Sequence, residues 1–474
     1  MDSSNHSRNI NGQFSRRQIL LAMGSVVAAS AAPRAWAQAA PQGSRTTATS
    51  GSGRLIVVML RGAYDGASAL VPYLDADYYA MRPNIAIAAP DGTAKTALKL
   101  DNTFALHPAL LPLLPLWQQG VLSVVPSAGL PVPNRSHFAA QYEMEIAQNG
   151  KSSAAPGWLN KAAATGNFLN GAIGVEKAVT AIGVENSVTA IGVGEANPAI
   201  LAGDAQVRLI PRGQAAERTG VLANDKTRQA LMDLYAGNDK LSEAFRQGAG
   251  SRMQSAQELS SEKMETTARR TGPPTASALD KDGTPASAQA QSAQMLAASN
   301  GASDPVGLQL DAQHLGTLMR NDRNLRLGFL SAGGWDTHAN QGNATGQLAN
   351  NLGNLSRAIV QLRQDFAEPG DVVVVMSEFG RTAAENGTRG TDHGFGNAMW
   401  LMGNRVNGGK WHGQWAGMAR ANLNEGRDLP AHHDYRAVLA QVLRATFAMP
   451  DSSLARVLPG ASWDKRLDGL MKKA

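Results

Sequence analysis

The sequence predicts an α/β fold, a doubly wound and mostly parallel sheet with helices on both faces. Short β-branched apolar runs, RLIVVML at 54–60 and DVVVVM at 371–376, are typical of strands buried on both faces. Amphipathic helical patterns separate such runs, as in βαβ units. The runs also end in glycine and polar residues, and open α/β sheets bind their ligands at that edge.

The front half, residues 54–210, begins with the strand at 54–60, and the turn after it places Asp65 at the strand's C-terminal end. A second strand is predicted at 122–125. The segment after it has apolar residues at the i, i+4 and i+8 positions of a helix, namely Phe138, Tyr142 and Ile146.

The back half, residues 306–470, repeats this organisation. An apolar run within 325–338 ends in Gly-Gly, Asp336 and His338, and a long amphipathic helix at 344–366 leads to the strand at 371–376. A further strand at 397–402 and a C-terminal helix at 435–447 complete the pattern. We expect both halves to build one sheet in a single domain spanning 54–470.

Two segments are predicted as insertions. Residues 226–305 are polar and rich in Ala, Ser and Gln, and we expect a mobile excursion, most of all from 271 onwards. The tetrapeptide AIGV occurs three times at a spacing of nine residues within 172–193, which is too short an array for a solenoid. We interpret it as a local duplication within a strand–turn insert.

Residues 1–37 are predicted to be a twin-arginine signal peptide. SRRQIL at 15–20 precedes a mildly apolar stretch, and AWA at 35–37 offers a cleavage site before the flexible leader 38–53. A short membrane anchor is the alternative, but the apolar stretch is too short to span a bilayer. We therefore expect the twin-arginine translocase as a partner, no stable membrane span, and a periplasmic or secreted protein.

Composition excludes several classes of function. The chain of 474 residues has no cysteine, so disulfides, thiolate metal sites and cysteine nucleophiles are excluded. Of the formal net charge of +6, the predicted signal peptide carries half, which leaves no strong case for nucleic acid. No G-x-G-x-x-G follows a strand, so nothing favours a nicotinamide or flavin cofactor.

Polar side chains at two strand ends predict a metal site. Asp336 and His338 follow one strand, and Glu378 follows the other, with Asp392 and His393 in the next loop. Carboxylate and imidazole are the ligands that a divalent cation would use here, zinc first, with manganese or calcium as alternatives. An Asp–His hydrogen bond in a turn and a Glu378–Arg381 ion pair are the structural alternatives.

The sequence leaves two alternative roles for each of two earlier residues, Asp65 and Ser136. Asp65 is followed by glycine, which is common in an ordinary turn. Ser136 opens a predicted helix, where its usual role is the N-cap, but the positive potential there also favours an alkoxide and an anion. His137 is either a neighbouring base or a solvated residue of the first turn, and His432 and His433 form only a weak metal patch.

This order of motifs resembles the alkaline phosphatase/sulfatase superfamily. More closely, the mature chain resembles the bacterial family catalogued as domain of unknown function 1501. The motifs that carry this resemblance are the DG turn within 62–72, RSHF at 135–138, GGWDTHANQ at 333–341, SEFGRT at 377–382 and GTDHG at 390–394.

The superfamily resemblance implies one or two divalent metals on an alkaline-phosphatase-like sheet. Carried over by position, one metal would be held by Asp65, Ser136 and Glu378. The other would be held by Asp336, His338 and His393. Ser136 would be the nucleophile and Arg381 an anion clamp. Phe379 stands where the superfamily commonly has a histidine, and Asp392 could compensate for it.

The sequence therefore predicts an exported, metal-dependent hydrolase of phosphate or sulfate esters that acts on a small anionic ester. The alternative is a non-catalytic binding or assembly protein on the same fold, with a partial metal site and an envelope protein as its partner.

Overall fold

Six apolar residues in a row, Leu55–Leu60, form strand β1 near the centre of the main sheet. The computed structural model describes residues 53–150, 155–165, 188–269 and 293–473. The predicted signal peptide, the leader up to residue 52, the first two AIGV copies and residues 270–292 of the predicted insertion lie outside these ranges. By their contacts, residues 48–474 cluster into one unit.

The strands of the described ranges are given first. They are β1 (Leu55–Leu60), β2 (Leu70–Val71), β3 (Leu98–Lys99), β4 (Ala105–Leu106), β5 (Leu122–Gly129), β6 (Ala190–Val193), β7 (Val207–Ile210), β8 (Leu327–Ala332), β9 (Val372–Ser377), β10 (Asn397–Gly403) and β11 (His433–Asp434).

The α-helices of the same ranges lie between and after these strands. They are α1 (Gly66–Ala69), α2 (Ala76–Met81), α3 (Leu114–Gln118), α4 (His137–Ile146), α5 (Trp158–Ala164), α6 (Asp225–Leu234), α7 (Lys240–Arg269), α8 (Leu308–Asn321), α9 (Gln347–Asp365), α10 (Tyr435–Phe447) and α11 (Asp451–Val457).

Within the described ranges, eight strands form the main sheet in the order β11-β5-β10-β9-β1-β8-β6-β7. Strand β10 is antiparallel to its neighbours β5 and β9, and the other pairings are parallel. Strands β8 and β9 flank β1 on either side and run parallel to it. The mostly parallel α/β sheet is therefore confirmed, and three consecutive strands end at the same edge.

Side chains of β1 alternate between two cores. Val57 packs in a cluster with residues of α10, and Val58 packs in the opposite cluster with residues of α8 and α9. Burying an aliphatic side chain stabilises the fold by about 1.5–3 kcal/mol, so both sheet faces must be covered. This explains why β1 and β9 are continuous apolar runs and why helices lie on both faces.

The element bounds agree closely with the sequence pattern. The predicted C-terminal helix matches α10 at both ends, and the helix predicted at 344–366 begins three residues later and ends one residue earlier, as α9. Strand β5 extends four residues beyond the predicted end at 125. The third AIGV copy is β6, a strand within the main sheet, which differs from the insert predicted for it.

The predicted excursion at 226–305 contains α6, except for its first residue, and all of α7 in its described part. Three small or apolar side chains of α7 are buried, Ala249, Ala256 and Leu259. These residues are widely spaced in a polar helix, so the sequence pattern did not reveal that α7 has buried positions. Across the described ranges, no helix combines the length and apolarity needed to cross a membrane.

Candidate metal centre

Three imidazoles and one carboxylate converge at the C-terminal edge of the sheet. Asp336 and His338 follow β8, His393 lies in the loop between β9 and β10, and His137 opens α4. Because β8, β1 and β9 are parallel neighbours, their C-terminal ends meet at one edge. The topology thus brings together residues up to 256 positions apart in the chain.

The converging atoms are the Nε2 atoms of the three histidines and Oδ1 of Asp336. Nε2 of His393 lies 2.9 Å from Nε2 of His137 and 3.0 Å from Nε2 of His338. Oδ1 of Asp336 lies 2.9 Å from Nε2 of His338, 3.3 Å from that of His393 and 3.4 Å from that of His137. His137, Asp336 and His393 each offer a ligand atom within 4.8 Å of the others.

The other nitrogen of each imidazole contacts an acceptor. Nδ1 of His137 lies 2.8 Å from Oε1 of Glu378. Nδ1 of His338 lies 3.2 Å from Oδ1 of Asp392. Nδ1 of His393 lies 2.8 Å from the carbonyl oxygen of Arg135. An ionised carboxylate or a carbonyl only accepts, so each Nδ1 carries the proton and donates it, and each Nε2 presents its lone pair to the cluster.

Three imidazole nitrogens and a carboxylate oxygen that face one point can hold a divalent cation between them. Zn²⁺ binds imidazole nitrogen at about 2.0–2.1 Å in a tetrahedron, which places neighbouring ligand atoms roughly 3.3 Å apart. The separations of 2.9–3.4 Å in the cluster are close to this value. Histidines that hold metal typically donate their second nitrogen to a carboxylate or carbonyl, as all three do here.

The pKa shifts of the cluster residues also favour a positive charge at this site. Burial lowers the pKa of His137, but hydrogen bonds with Asp336 and Glu378 outweigh it and raise that pKa to about 9. Burial likewise disfavours ionised Asp336, yet the three imidazoles and Arg381 hold its pKa well below the usual range. The pKa of buried Glu378 is also lowered, chiefly by His137 against the cost of burial. The pocket favours positive charge next to fixed carboxylates.

One side of the cluster is open to solvent. The side chains of His338 and His393 are 29% and 25% exposed, whereas that of His137 is 8% exposed. A small molecule can therefore reach the cluster past the two loop histidines, while His137 forms its floor.

The two glycines of GTDHG let the loops approach closely. A Cβ on Gly390 would lie 2.3 Å from the carbonyl carbon of His338. A Cβ on Gly394 would lie 2.4 Å from the carbonyl carbon of Arg381. Glycine is needed at both positions because any side chain would push the histidine loops apart.

Of the six predicted metal ligands, the structure brings Asp336, His338 and His393 into the cluster. Glu378 instead lies behind His137, where Oε1 also accepts hydrogen bonds from the backbone of Gly62 at 2.7 Å and from Gln141 at 2.9 Å. Its ligand role stays a prediction: Oε1 has three hydrogen-bond partners within the protein, and Oε2 accepts from the hydroxyl of Ser377 at 2.9 Å.

Asp392 and Asp65 also lie outside the cluster. Asp392 contacts Nδ1 of His338 on the side facing away from the converging atoms, and its side chain is 56% exposed. Asp65 ends β1 as predicted, but both its oxygens are bound by the buried guanidinium of Arg82, at 2.6 and 3.1 Å. Ser68 and Gln341 also donate to Asp65, so its carboxylate has no free side for a metal.

The two predicted catalytic residues have different surroundings. Arg381 is buried, and all three of its guanidinium nitrogens donate to groups of the protein, so its role as an anion clamp stays a prediction. Its acceptors are the carbonyl oxygens of Gly62, Ala63, Trp335 and Thr391 and the carboxylate of Asp336. Ser136 directly precedes α4, is exposed, and makes no capping bond through its hydroxyl.

The sequence pattern did not identify His137 as a ligand. Its position in the first turn of a helix suggested a solvated side chain, and only the RSHF motif singled it out. Gln141 donates to Glu378, and Arg61 donates to Gln141. The sequence did not single out these two residues, since a glutamine on a helix and an arginine after a strand are common.

The chain belongs to the family described as a protein of unknown function, DUF1501, whose model matches residues 52–458. No curated protein matches it.

Solved structures with a similar arrangement include a TAB5 alkaline phosphatase variant with magnesium in its M3 site. It is 11% identical, covers 84% of this chain and 98% of its own, and has a TM-score of 0.34. Alkaline phosphatase from the Antarctic bacterium TAB5 is 10% identical with the same coverage and a TM-score of 0.33. Ps i-CgsB in complex with k-i-k-neocarrahexaose is 10% identical over 85% of this chain and 73% of its own, with a TM-score of 0.34. We draw no conclusion on activity from likenesses at this level.

Proposed function

We propose that this protein is a metal-dependent hydrolase of phosphate or sulfate esters that holds one divalent cation, zinc first, between His137, Asp336, His338 and His393. One observation carries the proposal. The Nε2 atoms of three imidazoles meet one carboxylate oxygen, while each Nδ1 is bound by an acceptor outside the cluster. The ester class comes from the resemblance of the strand-end motifs to the alkaline phosphatase/sulfatase superfamily.

The buried charges around the cluster fit a divalent cation. Two buried arginines and four buried carboxylates lie in one connected network. With neutral histidines it carries two excess negative charges when all four carboxylates are ionised, and one when Glu145, whose pKa is raised to about 7, is protonated. These residues are Arg61, Arg381, Glu145, Glu195, Asp336 and Glu378. Buried carboxylates without compensation are strongly destabilising, and one divalent cation supplies the missing charge.

A single cation is expected, not a pair. The residues assigned by resemblance to the other metal do not meet in the structure: Asp65 binds Arg82, and Glu378 binds His137. The guanidinium of Arg82 thus supplies at Asp65 the positive charge that a second metal would bring.

The nucleophile that we propose is Ser136. Ser136 is exposed, directly precedes His137 of the centre, and lies at the N-terminus of α4, where the helix dipole favours an anion. A bound divalent cation would act as a Lewis acid on the ester oxygens.

In the first step, Oγ of Ser136 bonds to phosphorus or sulfur and loses its proton to solvent, while the bond to the ester oxygen breaks. The alcohol leaves with a proton from water. A second water then cleaves the serine ester and releases phosphate or sulfate. Arg381 keeps Asp336 in place and does not touch the substrate.

A second candidate is a non-catalytic binding or assembly protein. It is favoured by the four protein ligands, which can fill a tetrahedral coordination shell as in closed structural sites. It is also favoured by Arg381, whose guanidinium is buried and donates to groups of the protein from all three of its nitrogens. For either function we propose export by the twin-arginine translocase and a periplasmic or secreted location.

The test is elemental analysis of the full chain together with turnover of p-nitrophenyl phosphate and p-nitrophenyl sulfate. We expect about one zinc, manganese or calcium per chain, lost in Asp336→Ala and His393→Ala and retained in Asp65→Asn. Ser136→Ala should keep the metal and lose turnover.

Three outcomes argue against parts of the proposal. Two metals per chain that fall to one in Asp65→Asn would contradict a single centre. Unchanged turnover in Ser136→Ala would remove the covalent step. A bound metal without turnover of any ester, together with one stoichiometric partner in pulldowns, would favour the binding protein.

A further inference from the structure

Helix α4 presents three polar side chains on one buried face. His137, Gln141 and Glu145 follow one another at i, i+4 and i+8, and their exposed fractions are 8%, 0% and 2%. Four-residue spacing places them in one row along the helix. A buried polar row on a helix is costly unless each member is hydrogen-bonded. Here the row leads from the metal centre into the protein.

The amide of Gln141 bridges two charged groups. Its Nε2 donates to Oε1 of Glu378 at 2.9 Å and to the carbonyl oxygen of Ala298 at 2.7 Å. Its Oε1 accepts from Nη1 of Arg61 at 3.0 Å. A guanidinium only donates, and a carbonyl only accepts, so the orientation of the amide is fixed by its neighbours.

Arg61 is itself held rigidly. Its guanidinium is fully buried and bonds both oxygens of Glu195, at 2.7 and 2.9 Å, as well as a carboxylate oxygen of Glu145. Arg61 therefore fixes the amide oxygen of Gln141, which leaves the amide nitrogen facing Glu378 and the carbonyl oxygen of Ala298.

We propose that Gln141 is a positioning residue that sets the metal affinity of the centre by holding the carboxylate of Glu378 on Nδ1 of His137. This inference rests on the proposed metal centre. Without the Gln141 donor, Oε1 of Glu378 keeps Gly62 and His137 as donors and Oε2 keeps Ser377, so the carboxylate loses one of the donors that fix its orientation against His137. Loss of such outer contacts typically weakens metal binding because the imidazole is no longer held at its angle.

The test compares zinc dissociation constants, measured by competition with a chromophoric chelator, in the full-length wild type and in Gln141→Met. We expect affinity to fall roughly 10- to 100-fold in the folded variant. The midpoint of thermal unfolding of the metal-free protein should also fall, because Arg61, Glu378 and the carbonyl of Ala298 each lose a partner. Gln441→Met is the matched control, because Gln441 is also a buried glutamine but lies on α10 and bonds Asp468. It should leave zinc affinity unchanged.

Gln141→Leu is the second variant, in case methionine prevents folding. Leucine removes both ends of the amide without placing a second carboxyl group against Glu378, where the two would share a proton. We expect the same loss as in Gln141→Met. Wild-type affinity in either folded variant would overturn this inference alone, whereas a wild type that binds no zinc, manganese or calcium would overturn the metal centre and this inference with it.

Discussion

Arg381 illustrates how one buried side chain ties the loops of the centre together. Its guanidinium bonds carbonyl oxygens that follow β1 and β8, and it pairs with the carboxylate of Asp336 at 2.6 Å. It therefore acts on the centre through the position of Asp336. Removing one partner of a buried ion pair leaves the other charge uncompensated, which is more damaging than losing a contact at the surface.

For Arg381→Gln we expect the free energy of unfolding to fall by about 3–5 kcal/mol, because the variant leaves buried Asp336 and several carbonyl oxygens without their hydrogen-bond donor. Urea denaturation of the metal-free protein measures this. Arg389→Gln, at an exposed position of the same loop, should change it by less than about 0.5 kcal/mol. Unchanged stability in Arg381→Gln with a raised KM for an ester would restore the anion clamp that the sequence motif suggested.

At the scale of elements, the centre depends on how closely the loop after β9 approaches the loop after β8. Gly390 is buried against the backbone of His338, and a Cβ there would lie 2.3 and 2.4 Å from its carbonyl carbon and oxygen. Backbone at that distance cannot move aside as a flexible side chain would. The position of His338 is thus coupled to a residue that carries no functional group.

For Gly390→Ala we expect zinc affinity to fall roughly 10-fold or more, because the added methyl displaces His338 from its place beside Asp336. Gly387→Ala is the matched control in the same loop, since a Cβ there has no atom within 4 Å. It should bind zinc like the wild type. Equal zinc affinities in the two variants would show that His338 is not a ligand or that its loop adapts freely.

The elements themselves were largely predictable, and their side-chain partners were not. Continuous apolar runs identify β1 and β9 because both faces of the sheet are covered, and regular periodicity identifies α10. The same local patterns cannot tell that Glu378 faces His137, because that contact joins residues 241 positions apart. Strand ends predicted where the site lies, but three-dimensional packing decides which polar side chains meet there.

At the scale of the whole molecule, the buried polar network links the sheet, α4 and the centre into one electrostatic unit. Glu145 lies at its far end, against Arg61 and beside a second carboxylate, Glu195. Burial raises the pKa of Glu145 to about 7, since it outweighs the attraction of Arg61. Glu145 therefore binds a proton more tightly in the folded protein than in the unfolded chain, where its pKa is ordinary.

This pKa difference predicts how folding stability depends on pH. Below about pH 4.5 Glu145 is protonated in both the folded and the unfolded protein, and its favourable contribution to the free energy of unfolding is complete. As pH rises from about 4.5 to about 7, the unfolded chain ionises first and that contribution is lost, at about 1.4 kcal/mol per unit of pKa difference.

Glu145→Gln cannot titrate and should lack this component. We therefore expect the free energy of unfolding of the metal-free wild type to fall relative to Glu145→Gln across this window and to run parallel to it above pH 7. Urea denaturation at half-unit pH steps measures both curves, and parallel curves from pH 4.5 to 7 would show that Glu145 is already ionised in the folded protein.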